Sequence, residues 1–256
     1  MTARGIDAGA IDILAVGAHP DDVELGCGGA LMSLAARGYR FAILDLTRGE
    51  AGTRGTPEGR AREKAEAARL LGAHARESLD LGDGNLRTDR AAELEVIEVV
   101  RRLRPRLVFA PLAFDRHPDH LRTARLVHDA SFYAGLASLR TEHPAHRPQH
   151  IVSYLSSFFA SPTFLIDVTS VFARKLEALK AYRSQFHDPA STEPETYIAT
   201  EGFLDGVTTR AASFGRMGGV RFAEGFVSAL PPRLADPVAA FEGLEPGYPA
   251  VGRERA

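Results

Sequence analysis

A short apolar run that ends in a glycine and then in His-Pro-Asp-Asp constrains this chain more than any other stretch. Ile11 to Val16 is continuously apolar apart from Asp12 and reads as a buried strand. Gly17 stops it, and Pro20 forces an extended exit. Beyond Val23, Leu25, Ala30, Leu31, Leu34 and Ala35 recur at helical spacing. His19, Asp21 and Asp22 therefore stand where a strand hands over to a helix. In open α/β sheets that is the end at which ligands bind. A histidine and carboxylates gathered there are costly to bury unless something pairs with them, and a divalent metal fits.

The same arrangement returns once. Leu107 to Leu112 reads as a buried strand, runs into Asp115-Arg116-His117-Pro118-Asp119-His120, and leads to a helix over Leu121–Ala134. Between the two, the pattern predicts a strand over Tyr39–Leu46, a helix over Glu58–Leu71 capped by Gly72, and a short strand over Ser78–Leu81. Gly82-Asp83-Gly84-Asn85 reads as a turn, followed by a helix over Ala91–Leu103 stopped by Pro105. Downstream, strands are expected over Ile151–Phe159 and Phe164–Val168, then a helix from Thr169 or Ser170 to about Phe186. A loop over His187–Glu195, a helix over Asp205–Met217 and a closing strand over Val220–Phe226 follow. Alternating strands and helices predict one α/β domain, a mostly parallel twisted sheet flanked by helices. The expected boundaries are an N-terminal extension over 1–10, the domain over 11–230 and a loose tail over 231–256.

Composition narrows the class. A formal net charge of −2 gives no reason to expect nucleic acid or an anionic membrane as partner. No apolar run approaches the roughly 20 residues of a membrane span, and Met1–Gly9 lacks the layout of a signal peptide. The single cysteine, Cys27, leaves no intramolecular disulfide and fits a reducing cytoplasm; any metal must be held by histidine and carboxylate.

His19 and Asp22 lie three apart at one junction, and His120 lies at the equivalent junction of another strand. Two histidines and a carboxylate make an open zinc site with room for water; iron(II) is the other metal this donor set allows. Of the adjacent aspartates one can bind the ion, which leaves Asp21 beside the water as a general base. His117 could be a ligand or could stand beside the ion, where an imidazolium would stabilise an oxyanion, with Asp115 or Asp119 orienting it. Arg48 and Arg54, on the Gly-rich loop after the second strand, suit a carboxylate or phosphate of the substrate. Gly26-Cys27-Gly28-Gly29 invites a nucleotide-binding reading, but G-x-G-x-x-G is absent, and close helix packing explains the glycines. His150 opens a strand and is a further candidate for substrate contact.

Ala18-His19-Pro20-Asp21-Asp22-Val23-Glu24 with His117-Pro118-Asp119-His120 resembles the zinc-dependent deacetylase family named after LmbE and PIG-L. Leu46–Glu50, Gly52–Thr56, Asp115–His120, Tyr182–Phe186 and Phe222–Phe226 resemble its bacillithiol-biosynthesis branch. The resemblance spans roughly residues 11–228. It implies a Rossmann-like fold, removal of an N-acetyl group from an amino-sugar conjugate, N-acetylglucosaminyl malate in that branch, and assembly into homo-oligomers. It implies His19, Asp22 and His120 as zinc ligands, Asp21 as base and acid, His117 as oxyanion partner and Arg54 as the contact to malate. Some relatives carry a tyrosine where this chain has Phe203, and Tyr197 is the nearest possible substitute. Mycothiol-pathway, chitobiose-type and antibiotic-pathway deacetylases are the related alternatives, and a non-hydrolytic nucleotide-binding module the unrelated one.

Overall fold

The computed structural model describes residues 11–156 and 160–241. The extension over 1–10, positions 157–159 of the expected strand and the tail beyond 241 lie outside the described residues.

The chain builds a sheet ordered β3-β2-β1-β4-β5-β7-β6. Strands β1 (Ile13–Gly17), β2 (Phe41–Asp45), β3 (Ala75–Ser78), β4 (Leu107–Pro111) and β5 (His150–Tyr154) run parallel. β7 (Ala223–Ser228) joins β5 antiparallel and carries β6 (Phe164–Asp167) on its other side. Every residue of β1 and β2 is buried, as expected of parallel strands covered on both faces. Successive side chains divide between the faces. Leu14 and Val16 pack under α3 (Arg90–Leu103) and α4 (Pro118–Ala134), whereas Ile13 and Ala15 pack under α1 (Asp22–Ala35) and α5 (Phe172–Lys180).

Local chemistry sets the helix ends. α2 (Pro57–Leu71) starts with Thr56, whose hydroxyl accepts from Gly59 N at 3.1 Å, and with proline at its first position. It stops at Gly72, in the left-handed region at φ +79°. α3 starts on the Asp89 carboxylate, which accepts from Ala92 N at 2.9 Å.

From β3 the chain crosses back to β4, on the far side of β1 from β2. The order therefore reverses between β1 and β4, and their carboxyl ends open a crevice. Both His-Pro-Asp turns stand on that crevice.

Several expectations shift. β3 lies at Ala75–Ser78, earlier than Ser78–Leu81, because its pairing runs from Ala42↔Ala75 to Asp45↔Ser78. Residues 79–81 still follow β2, with Leu81 N bonded to Leu46 O at 3.1 Å, but outside the ladder. α5 begins at Phe172, with no side-chain cap from Thr169 or Ser170, and ends at Lys180, well short of Phe186. There the chain turns so that the buried Tyr182 hydroxyl donates to Glu24 Oε1 at 3.0 Å. α6 covers Phe203–Met217, and the region beyond 231 contains a short helix, α7 (Pro237–Ala240).

The glycines of α1 serve packing. A Cβ on Gly26 would lie 2.2 Å from the Tyr154 ring, and one on Gly29 2.9 Å from Glu224 Oε1. Glu224 accepts from Gly29 N at 3.0 Å and Ala30 N at 2.7 Å, in the middle of the helix. One turn earlier, Leu25 O accepts from Lys175 Nζ at 3.0 Å and Arg210 Nη2 at 3.1 Å. Lys175 and Glu224 themselves form a buried ion pair at 2.5 Å. β7, α5 and α6 thus hold α1 at one place, directly behind the residues that reach the crevice. Among the described residues, no helix is long and apolar enough to cross a membrane.

Candidate metal centre and active site

The turn after β1 is tight. A Cβ on Gly17 would come within 3.0 Å of both Asp22 Cβ and His19 O. Asp22 closes the turn by accepting from His19 N at 2.8 Å. Asp21, the residue before α1, has φ +117° although it is not glycine. Such a backbone costs of order 1–3 kcal/mol and persists only where surrounding contacts impose it. Arg60 of α2 imposes it: Nη2 donates to Pro20 O at 2.7 Å and lies 3.3 Å from Asp21 Oδ2, while Nη1 donates to Gly49 O at 3.3 Å.

His19, His117 and His120 converge, with ring centroids 4.8 to 5.7 Å apart. Asp22 stands between two of them. One carboxylate oxygen is 3.5 Å from His19 Nδ1 and the other 3.1 Å from His120 Nε2. The opposite ring nitrogens face other carboxylates. His19 Nε2 lies 3.0 Å from Asp83 and 3.5 Å from Asp119, and His120 Nδ1 lies 3.2 Å from Asp115. Each histidine therefore offers one nitrogen to the Asp22 side and is backed on the other by a carboxylate, the arrangement that orients imidazoles toward a metal. The carboxylates of Asp115 and Asp119, expected to orient His117, back His120 and His19, while Asp119 also holds the His117 ring through its backbone N–H at 3.2 Å. Asp115 Oδ1 also accepts from His117 N at 3.0 Å. Asp119 is fully buried and accepts from Gly84 N, Leu86 N and Arg122.

The donors fit a cation. Asp22 brings one carboxylate oxygen to His19 Nδ1 and the other to His120 Nε2, so that two nitrogens and a carboxylate face one point. Potential ligand atoms of His19, His117 and His120 lie within 4.8 Å of one another, and so do those of His19, Asp83 and Asp119. The electrostatics agree. Burial favours neutral imidazole, yet Asp22 and Asp115 outweigh it at His120 and push its pKa up to about 10. At His19, burial is likewise outweighed, by Asp119, Asp22 and Asp83. Asp22 is buried, which favours protonation, but the two histidines hold its pKa well below the ordinary range. The cluster thus favours positive charge at its centre, the charge that a divalent ion would supply.

Asp21 behaves differently from its neighbour. Burial first, then the proximity of Asp22, push its pKa up to about 7 against the pull of Arg60. Burial first, then His19 and His120, lower the pKa of His117, which favours its neutral imidazole form over the imidazolium expected. Its Nδ1 accepts from Asp119 N at 3.2 Å as the cap of α4, which leaves Nε2 to carry the proton.

These groups line a cavity of about 730 Å³. Neither loop arginine expected there lines it. Arg54 is buried and spent on the 184–194 segment: Nε donates to Ser184 O at 2.9 Å, Nη1 to Pro194 O at 3.0 Å and Nη2 to Ser191 Oγ at 3.0 Å. Arg48 points outward to Asp80 at 3.0 Å, both half exposed or more. The cavity's arginines are Arg60, Arg116 and Arg210. His150 stands at the amino end of β5, away from the crevice, against Ser228 Oγ at 2.7 Å. Tyr197 and Phe203 both line the cavity, and Tyr197 carries the Arg116 guanidinium 4.1 Å above its ring.

Sequence reasoning missed Asp83 and Arg60. Asp83 follows β3 as His19 follows β1, so the strand-end argument applied to it, but its glycine neighbours made it read as a plain turn. Arg60 carries no local signal, since a charged residue near a helix start is normally solvated.

With the site defined, similarity to known proteins becomes informative. The family model for GlcNAc-PI de-N-acetylase, PIG-L, matches residues 14–131. A diacetylchitobiose deacetylase from Thermococcus kodakarensis is 31% identical over 225 residues, covering 83% of this chain and 81% of that protein. The crystal structure of a conserved protein from Thermus thermophilus superposes with a TM-score of 0.81 at 40% identity, over 89% of this chain and 98% of that one. A 4-oxalmesaconate hydratase from Pseudomonas putida is 29% identical over 200 residues, covering 68% of this chain and 74% of that protein. The sequence match and the shared fold agree: this chain belongs to the PIG-L/LmbE deacetylase family.

Proposed function

We propose that the protein hydrolyses the N-acetyl group of an N-acetylglucosamine conjugate, with N-acetylglucosaminyl malate as the substrate and zinc or iron(II) as the metal. The observation that carries this reading is Asp22 set between His19 and His120, with Asp21 next to it in sequence and apart from it in protonation.

His19, Asp22 and His120 would hold the metal, which when bound polarises the amide carbonyl and acidifies water. Asp21 takes the proton of the attacking water as its oxygen bonds to the carbonyl carbon. It then delivers that proton to the nitrogen as the C–N bond breaks, giving acetate and a free amine. A carboxylate with a pKa near neutrality can do both. His117 donates from Nε2 to the oxygen of the tetrahedral carbon, and the backbone N–H of Asp119 fixes the required tautomer. Arg60 holds Asp21 in its strained conformation beside the reacting group.

Diacetylchitobiose is the second substrate reading, favoured by the Thermococcus relative. The test is acetate release from both compounds, with and without a chelator. Metal-dependent release from either supports hydrolysis, and the faster one names the conjugate. No acetate from either, together with hydration of 4-oxalmesaconate, overturns the reading.

A further inference from the structure

One helix forms a wall of the cavity. α6 brings Phe203, Gly206, Val207 and Arg210 to it, at the spacing that places residues on a single helix face. Gly206 leaves space: a Cβ there would meet nothing within 4 Å. Helix-interior glycine costs about 1 kcal/mol relative to alanine, so this opening has a reason to be looked for. One turn on, Arg210 donates from Nη1 to Ser156 O and from Nη2 to Leu25 O at 3.1 Å, and both of those residues line the cavity. Its other N–H groups have no acceptor among the described residues.

Arg210 lacks both the carboxylate that Arg76 and Arg60 have and the full set of neutral acceptors that buried Arg101 finds in Ala134 O, Leu136 O, Leu139 O and Thr141 Oγ1. Arg76 is held bidentately by Asp45 at 2.8 and 2.9 Å and by Glu24, and Arg60 faces Asp21. No carboxylate among the described residues lies at ion-pair distance from Arg210. Glu224 and Asp115 act on it only at longer range, Glu224 being committed to Lys175 and Asp115 to His120. Burial lowers its pKa, the sign of a charge removed from water without full compensation.

We infer that Arg210 determines substrate specificity by binding a carboxylate on the part of the substrate that stays with the amine, along the α6 wall of Phe203, Gly206 and Val207. This rests on the deacetylase reading and supplies the anion contact that Arg54 and Arg48 are not placed to make. A planar guanidinium with donors to spare suits a carboxylate held by paired hydrogen bonds.

The experiment compares N-acetylglucosaminyl malate with the uncharged methyl N-acetylglucosaminide, using metal-loaded wild type, Arg210→Gln and Arg210→Lys. The expected result is that R210Q lowers the malate-to-methyl ratio of kcat/KM by tenfold or more, chiefly through KM, and that R210K restores part of it. A ratio unchanged in R210Q overturns the inference, since loss shared by both substrates means that Arg210 only supports Leu25 and Ser156. Calorimetric titration of L-malate into the same three proteins gives a second readout that needs no turnover. Binding at least tenfold weaker in R210Q supports the inference. Equal binding in R210Q, or no binding to wild type, overturns it. If wild type releases acetate from neither sugar, the deacetylase reading fails, and the titration still decides what Arg210 binds.

Discussion

The Asp22 carboxylate, on the opening turn of α1, stands 3.1 Å from Nε2 of His120, on the opening turn of α4. Two separate βα units therefore meet at one point, and an ion bound there would join them. Protein purified without added metal is expected to carry about one divalent ion per chain, and a chelator to abolish acetate release until zinc is returned. His120→Ala is expected to lose both metal and activity, with zinc failing to rescue it. Asp115→Ala, which removes the backing of His120 and the acceptor of His117 N, should weaken metal binding by roughly 10–100-fold. Elemental analysis and acetate release check all three.

Asp21→Asn keeps the shape beside Arg60 but removes the proton carrier. Turnover is expected to fall by about 10²–10⁴-fold with metal content unchanged. Near-normal turnover would remove Asp21 from the proposed chemistry.

Arg54→Ala is expected to act on the loop. It strips donors from Ser184, Pro194 and Ser191 at once. Hydrogen bonds to a charged group are each worth roughly 1.5–3 kcal/mol, so thermal stability should drop by several degrees. Hydrogen exchange should rise over 184–194. KM should change alike for anionic and neutral substrates, whereas a selective loss on the malate conjugate would restore Arg54 as a substrate contact.

Two glycine-to-alanine changes should have opposite signs. Gly26→Ala drives a methyl into the Tyr154 ring, and overpacking of this kind costs about 1–3 kcal/mol or more. Gly206→Ala meets open space within α6 and should stabilise by about 0.5–1 kcal/mol. Denaturant titration of the two variants measures both.

The Cys27 thiol should be inert. Burial first, then the nearby Glu224 carboxylate, push its pKa well above the ordinary thiol value. A raised pKa means less thiolate at any given pH, and the thiolate is the reactive form. A thiol reagent at neutral pH should modify the native protein only as it unfolds.

Much of the centre was legible because its signals are local. Gly17 and Pro20 mark the end of β1, and His19, Asp22 and His120 stand within a few residues of strand ends that periodicity alone locates. The arginines were not legible. Whether Arg54 faces the cavity or the 184–194 segment depends on how two loops meet, and nothing near Arg54 encodes that. Asp83 and Arg60 reach the crevice from β3 and α2 through the same long-range geometry. The early end of α5 likewise follows from the demand of Tyr182 for Glu24, a partner far away in the chain.

Glu224, nearly the last residue of the sheet to be made, grips the helix that was made first. During synthesis, α1 can form early yet has nothing to lock its middle turn until β7 has slid between β5 and β6. A nascent or C-terminally clipped chain that stops before residue 223 thus holds the whole ligand set in its sequence while lacking the brace that fixes α1. A settled arrangement of His19, Asp21 and Asp22 is therefore expected only after β7 has been made.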